Sequence, residues 1–106
     1  MLNIFKPHLK ICYEVRITEI KNGVKNEDRR FYKKKKIALT LFLATEKRIM
    51  QEYPDAKVIT TEANDYNEID NNSFCYLIQK AEYTCIRHKD ILSDTKIIEI
   101  FECHII

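Results

Sequence analysis

The thiols and imidazoles at Cys12, Cys75, Cys85, His88, Cys103 and His104 are the residues whose types could hold a soft metal ion. No Cys-x-x-Cys pair occurs. Cys85 and His88 stand three apart, a spacing that chelates only on a helix or a bent segment, because on a strand such positions face opposite sides. Cys103 and His104 are adjacent and point apart on a strand for the same reason. Four cysteines set singly inside apolar runs read more simply as small buried hydrophobes, so no metal and no cofactor is expected.

Nucleophilic chemistry is thinly supported. Gly23 is the single glycine, which excludes a glycine-rich phosphate loop. Ser73 and Ser93 are the serines, and neither lies in a nucleophile elbow. A pair such as Cys85 with His104 has suitable residue types, but nothing in the pattern singles it out. The acidic group Glu62, Asp65, Glu68 and Asp70 fails as a calcium loop. Ile69 falls on a ligand position, Asp70 where the turn glycine belongs, and Tyr76 where the bidentate glutamate belongs. A solvated loop, or a surface for a basic partner, remains. The expectation is a protein that is not an enzyme.

The strongest cluster runs Arg29-Arg30-Phe31-Tyr32-Lys33-Lys34-Lys35-Lys36. Basic groups neutralise phosphates and an aromatic ring stacks on an unpaired base, so these eight positions are the candidate contact for nucleic acid or for an acidic partner. The lysines also sit at the start of a helix, where the macrodipole is positive and acids would be favoured. The plainer reading is a solvated entry to the helix with Phe31 and Tyr32 turned to the core.

Positioning these residues takes one domain. The chain has 106 residues, 45% of them hydrophobic and 32% charged, which suits a single globular core. A net charge of +2 is too small to mark a general polyanion binder. No stretch is apolar for long enough to span a membrane, and Met1 to Pro7 is too short for a signal peptide, so a cytoplasmic setting with free thiols is expected. Ile, Lys and Asn make up roughly a third of the chain, a bias that goes with AT-rich genomes, including those of phages and other viruses.

Along the chain, Ile11, Tyr13, Val15 and Ile17 alternate with Cys12, Glu14, Arg16 and Thr18, a half-buried strand. Asn22-Gly23 is a strong hairpin signal. A two-residue turn there would set Arg16 opposite Arg29, so a longer loop over about 21–28 and a short return strand are expected instead. Residues 34–53 form the main helix, ended by Pro54, with Ala38, Leu39, Phe42, Leu43, Ile49, Met50 and Tyr53 on its core face. Ile37, Leu41 and Ala44 fall on the other side and are candidate interface residues, together with Ile105 and Ile106 at the apolar carboxyl end.

Residues 57–63 read as a short strand and 64–72 as a polar loop. Residues 74–88 favour strands over a helix because β-branched and aromatic types dominate. Residues 96–106 are apolar on both faces, which makes that last strand central or covered. The sum is an α+β domain: an antiparallel sheet of about four to five strands with the 34–53 helix across one face. The expected function is a small protein-interaction module with a macromolecular protein partner. The partner could be a nucleoprotein complex, with the module an anti-CRISPR-like inhibitor of a host nucleic-acid machine from a phage or mobile element; an apolar edge could also build a homodimer. The alternative is a nucleic-acid-binding domain that uses the 29–36 cluster.

Overall fold

The computed structural model describes residues 10–61, 66–70, 73–86 and 93–105. Their elements are β1 (Lys10–Lys21), β2 (Val24–Tyr32), α1 (Lys35–Glu52), β3 (Lys57–Thr61), β4 (Tyr66–Asp70), β5 (Ser73–Ile86) and β6 (Ser93–Ile105). The strands form one antiparallel sheet in the order β2-β1-β6-β5-β3, with β4 following β3 along the same side of β5. This is the expected α+β architecture, with a single helix on a sheet. The apolar final strand is central, between β1 and β5. Residues 73–86 are strand, in one piece with a bulge between Leu77 and Gln79. The polar stretch expected as a loop instead contains β4, paired with the start of β5.

Asn22 and Gly23 close the β1–β2 hairpin as a strict two-residue turn, with φ of 54° and 77°. Two successive positive φ values suit the right-handed strand twist, and Asn-Gly supplies them with little strain. The expected longer loop is therefore wrong, and β2 is a full-length strand. Arg16 does stand opposite Arg29, and the Glu14 carboxylate between them removes the conflict.

The connection α1 leaves one edge strand, β2, crosses one face and returns to the other edge at β3. Its buried residues are Ala38, Phe42, Thr45 and Ile49, a ladder of four-three-four spacing that keeps one face down. They pack with Val15, Ala81, Tyr83, Ile98 and Ile100 of the sheet, and Tyr13, Ile17, Tyr32 and Leu41 close the margins. Leu43 and Met50, expected in the core, are instead 58% and 52% exposed. Thr45 occupies their share of the interface, so the helix is rotated relative to the apolar count.

Candidate interaction surface

Strand alternation divides the basic cluster. Arg29 and Phe31 fall on the sheet face away from the helix, whereas Tyr32 points to the helix and packs against the core. Arg29 grips Glu14 with two hydrogen bonds, Nε to Oε2 at 2.9 Å and Nη2 to Oε1 at 2.8 Å. Arg16 donates from Nε to Oε2 of the same carboxylate at 2.8 Å. The Arg29 guanidinium lies 5.5 Å from the Phe31 ring centroid, and that of Arg16 lies 4.7 Å from the Phe101 centroid. Glu14 is 1% exposed. Burial raises its pKa, but the hydrogen bonds from Arg29 and Arg16 outweigh that and hold the carboxyl below its ordinary value.

Arg29 is thus the ion-pair partner of Glu14, the exposed Phe31 ring lies under its guanidinium, and Tyr32 packs half-buried against the core. Arg30 is exposed and pairs with Asp28 at 3.2 Å. Lys33, Lys34, Lys35 and Lys36 are exposed at the start of α1, whose first turn contains no acid and whose N-cap, Lys34, makes no side-chain cap. Of the eight-residue run, Arg29 and Arg30 are exposed but ion-paired, Phe31 is 57% exposed, Tyr32 is half-buried, and the four lysines are exposed. Glu14 was the residue that sequence reasoning passed over. Its signal was present: an acid on the same strand face as Arg16, one step from the Arg16–Arg29 pair.

The expected interface residues separate as well. Ile37 and Ala44 are exposed on α1, Leu41 is half-buried against the core, and Ile105 is 42% exposed at the end of β6. Ile106 lies outside the described residues, as do His88, Glu62 and Asp65.

Further exposed apolar side chains lie on α1 and on β3. Burial raises the pKa of the Tyr83 phenol, and the Glu46 carboxylate adds to the shift. Leu43 and Met50 are three residues before and four after Glu46, on the same side of the helix. Val58 is the ladder partner of Tyr83 on β3 and shares its sheet face. Leu43 and Met50 on α1, and Val58 on β3, are each exposed apolar side chains. All five residues of β3 are exposed, with Ile59 at 52%. Only Lys57 among them is charged, whereas the opposite edge, β2, carries Lys25, Glu27, Asp28, Arg29 and Arg30.

Beyond the start of α1 the sheet continues and forms a cleft of about 460 Å³ lined by Lys35, Tyr76, Ile78, Glu102 and His104. Glu102 accepts a hydrogen bond from the Tyr13 hydroxyl at 3.2 Å, and His104 Nε2 lies 2.8 Å from its other oxygen. The His104 contact is the main cause that holds the Glu102 carboxyl below its usual value. The Tyr76 ring meets His104 edge-on, with centroids 5.2 Å apart. The sequence sets His104 beside Cys103 and offers Cys85 as a partner; its neighbour in the structure is Glu102, two residues away on the same strand face.

Among the described residues no group of three or more His, Cys, Asp or Glu is arranged to hold a metal ion, and no helix is long and apolar enough to cross a membrane. No protein-family model, no curated protein and no solved structure matches this chain.

Proposed function

We propose that this protein is a non-enzymatic interaction module that takes an extended segment of a protein partner along its β3 edge. The observation that carries this reading is an exposed, β-branched edge strand, all five residues of β3, with Val58 and Ile59 as its apolar members. An edge strand offers unpaired backbone groups, and adjacent apolar side chains supply the affinity and register that backbone bonds alone lack. A well-defended edge carries charges, as β2 does. On β3 only Lys57 is charged, so the fitting segment is apolar at its centre with an acid at the Lys57 end.

An inhibitor of a host nucleic-acid machine, acting in the cytoplasm, is the narrower form of this proposal. It draws on the combination of a protein-docking edge with the Lys33–Lys36 run. A second copy of this chain could also pair β3 with β3 about Ile59, which sets no like charges opposite each other. The competing reading is nucleic-acid binding by Arg30 and Lys33 to Lys36, favoured by their exposure and by the absence of acids in the first turn of α1.

One capture experiment separates these. Wild-type, Ile59→Lys and a variant with Lys33 to Lys36 all changed to Ser are used as bait in nuclease-treated host extract. The proposal expects the same defined protein on wild type and on the lysine variant, and its loss on Ile59→Lys. If nuclease or the lysine substitutions remove the captured material while Ile59→Lys keeps it, the nucleic-acid reading replaces this one. That reading further requires affinity that falls with salt at a log–log slope of about −0.7 to −0.9 per phosphate contacted.

A further inference from the structure

On the sheet face away from the helix, Cys12 of β1 is the ladder partner of Cys103 of β6, and Cys103 is the ladder partner of Cys75 of β5. Three thiols thus form one row across three neighbouring strands, on one sheet face. Cys75 and Cys103 are buried with Phe101, and Leu77 and Cys12 pack beside them, Cys12 half-buried. Facing residues in an antiparallel ladder have Cα atoms about 4.5 or 5.5 Å apart. Both values fall within the span of about 4.4–6.8 Å that a disulfide bridges.

We propose that this row is a thiol–disulfide site, in which Cys103 forms a disulfide with either neighbour when the protein meets a low-molecular-weight disulfide such as oxidised glutathione. The accessible Cys12 thiolate attacks one sulfur of the glutathione disulfide. The S–S bond breaks, a mixed disulfide forms, and one glutathione thiolate leaves. Cys103 thiolate then attacks the Cys12 sulfur and expels the second glutathione. Two protein thiols lose two electrons and two protons, and one glutathione disulfide becomes two glutathione thiols. Attack by Cys75 on the Cys103 sulfur afterwards moves the bond to β5 and frees Cys12 with no further oxidation.

The two possible bonds are not equivalent. In an antiparallel sheet the N–H and C=O of one residue point to the same neighbour, so Cys103 forms a hydrogen-bonded pair with one partner and a non-hydrogen-bonded pair with the other. Side chains are closer in the second kind, so one linkage dominates. Burial raises the pKa of the Cys12 and Cys103 thiols, which makes the reaction slow near neutrality and faster by about tenfold per pH unit as the thiolates appear. Cys85 lies on the other sheet face and is half-buried, an internal control.

The test is incubation of the full chain with excess glutathione disulfide at pH 8, alkylation of remaining thiols, and peptide mapping by mass spectrometry. The expected product is an intact mass lower by two hydrogens, with the Cys103 peptide joined to that of Cys12 or Cys75 and Cys85 alkylated. Cys85→Ser should behave as wild type, and Cys103→Ser should stop at one glutathione on Cys12. Recovery of Cys103 as a free alkylated thiol after glutathione has reached Cys12 or Cys85, or links only between molecules, overturns the proposal. The wild-type map decides the matter even if Cys103→Ser fails to fold.

Discussion

The two faces of β1 bury their residues by opposite means. Val15, under the helix, is fully buried among Ala38, Phe42, Ile98 and Ile100. Its neighbour Glu14, on the other face, is just as enclosed, but its surroundings are two guanidinium groups that lie over Phe31 and Phe101. One face excludes water with hydrocarbon. The other places a carboxylate where three N–H groups satisfy it and two aromatic rings support the donors. A strand's period of two lets adjacent residues follow different rules, so burial alone does not identify a hydrophobic core.

The sharpest way to break this contrast is to empty the helix-covered face. Phe42→Ala should cost about 3–5 kcal/mol in urea unfolding, and a loss below 1 would mean that the helix packs loosely. Glu14→Gln should cost about 2–3 kcal/mol, less than a fully buried pair because Arg16 and Arg29 reach solvent. A loss as large as that of Phe42→Ala would make the ionic face an equal partner in stability.

The faces should also differ in their response to acid. The Glu14 carboxyl is held below its ordinary value in the folded state. Its stabilisation is therefore complete above the unfolded carboxyl range near about pH 4.3 and fades as pH falls through the lower folded value. Wild type should lose stability below that range, and Glu14→Gln should lose less. Gly23→Ala should cost about 1 kcal/mol through its positive φ, since the space around it is open. The smallest effect belongs to the exposed edge. Ile59→Lys should leave stability within about 0.5 kcal/mol while it removes the proposed partner, measured by unfolding and by capture.

Much of the architecture was legible before the fold. The helix at 34–53 against the observed Lys35–Glu52, the alternation in β1 and the central place of the last strand all follow from period and composition. The helix phase was not, because Ile37, Leu39, Leu41, Phe42 and Leu43 make its first half apolar almost all round. Thr45, a residue that an apolar count ignores, completes the true stripe with Ala38, Phe42 and Ile49. The hairpin register failed for a different reason. A pairwise rule for Arg16 and Arg29 cannot register a third residue, and Glu14 reverses its sign. The candidate surface was half visible: the lysine run is exposed as read, but Leu43 and Met50, assigned to the core by the apolar count, are exposed once the helix phase is known.

That crossing sets the order in which the molecule can assemble. β1 is enclosed on one side by β2, a turn away, but on the other by β6, and Tyr13 meets Glu102 across a separation of 89 positions. Until β6 arrives, the β1–β2 hairpin has an open inner edge and α1 has only part of its platform. The closing step is thus the least local contact in the sheet, which favours slow folding and leaves β1 available to wrong partners in the interval. Refolding yield should then depend on protein concentration more than equilibrium stability does.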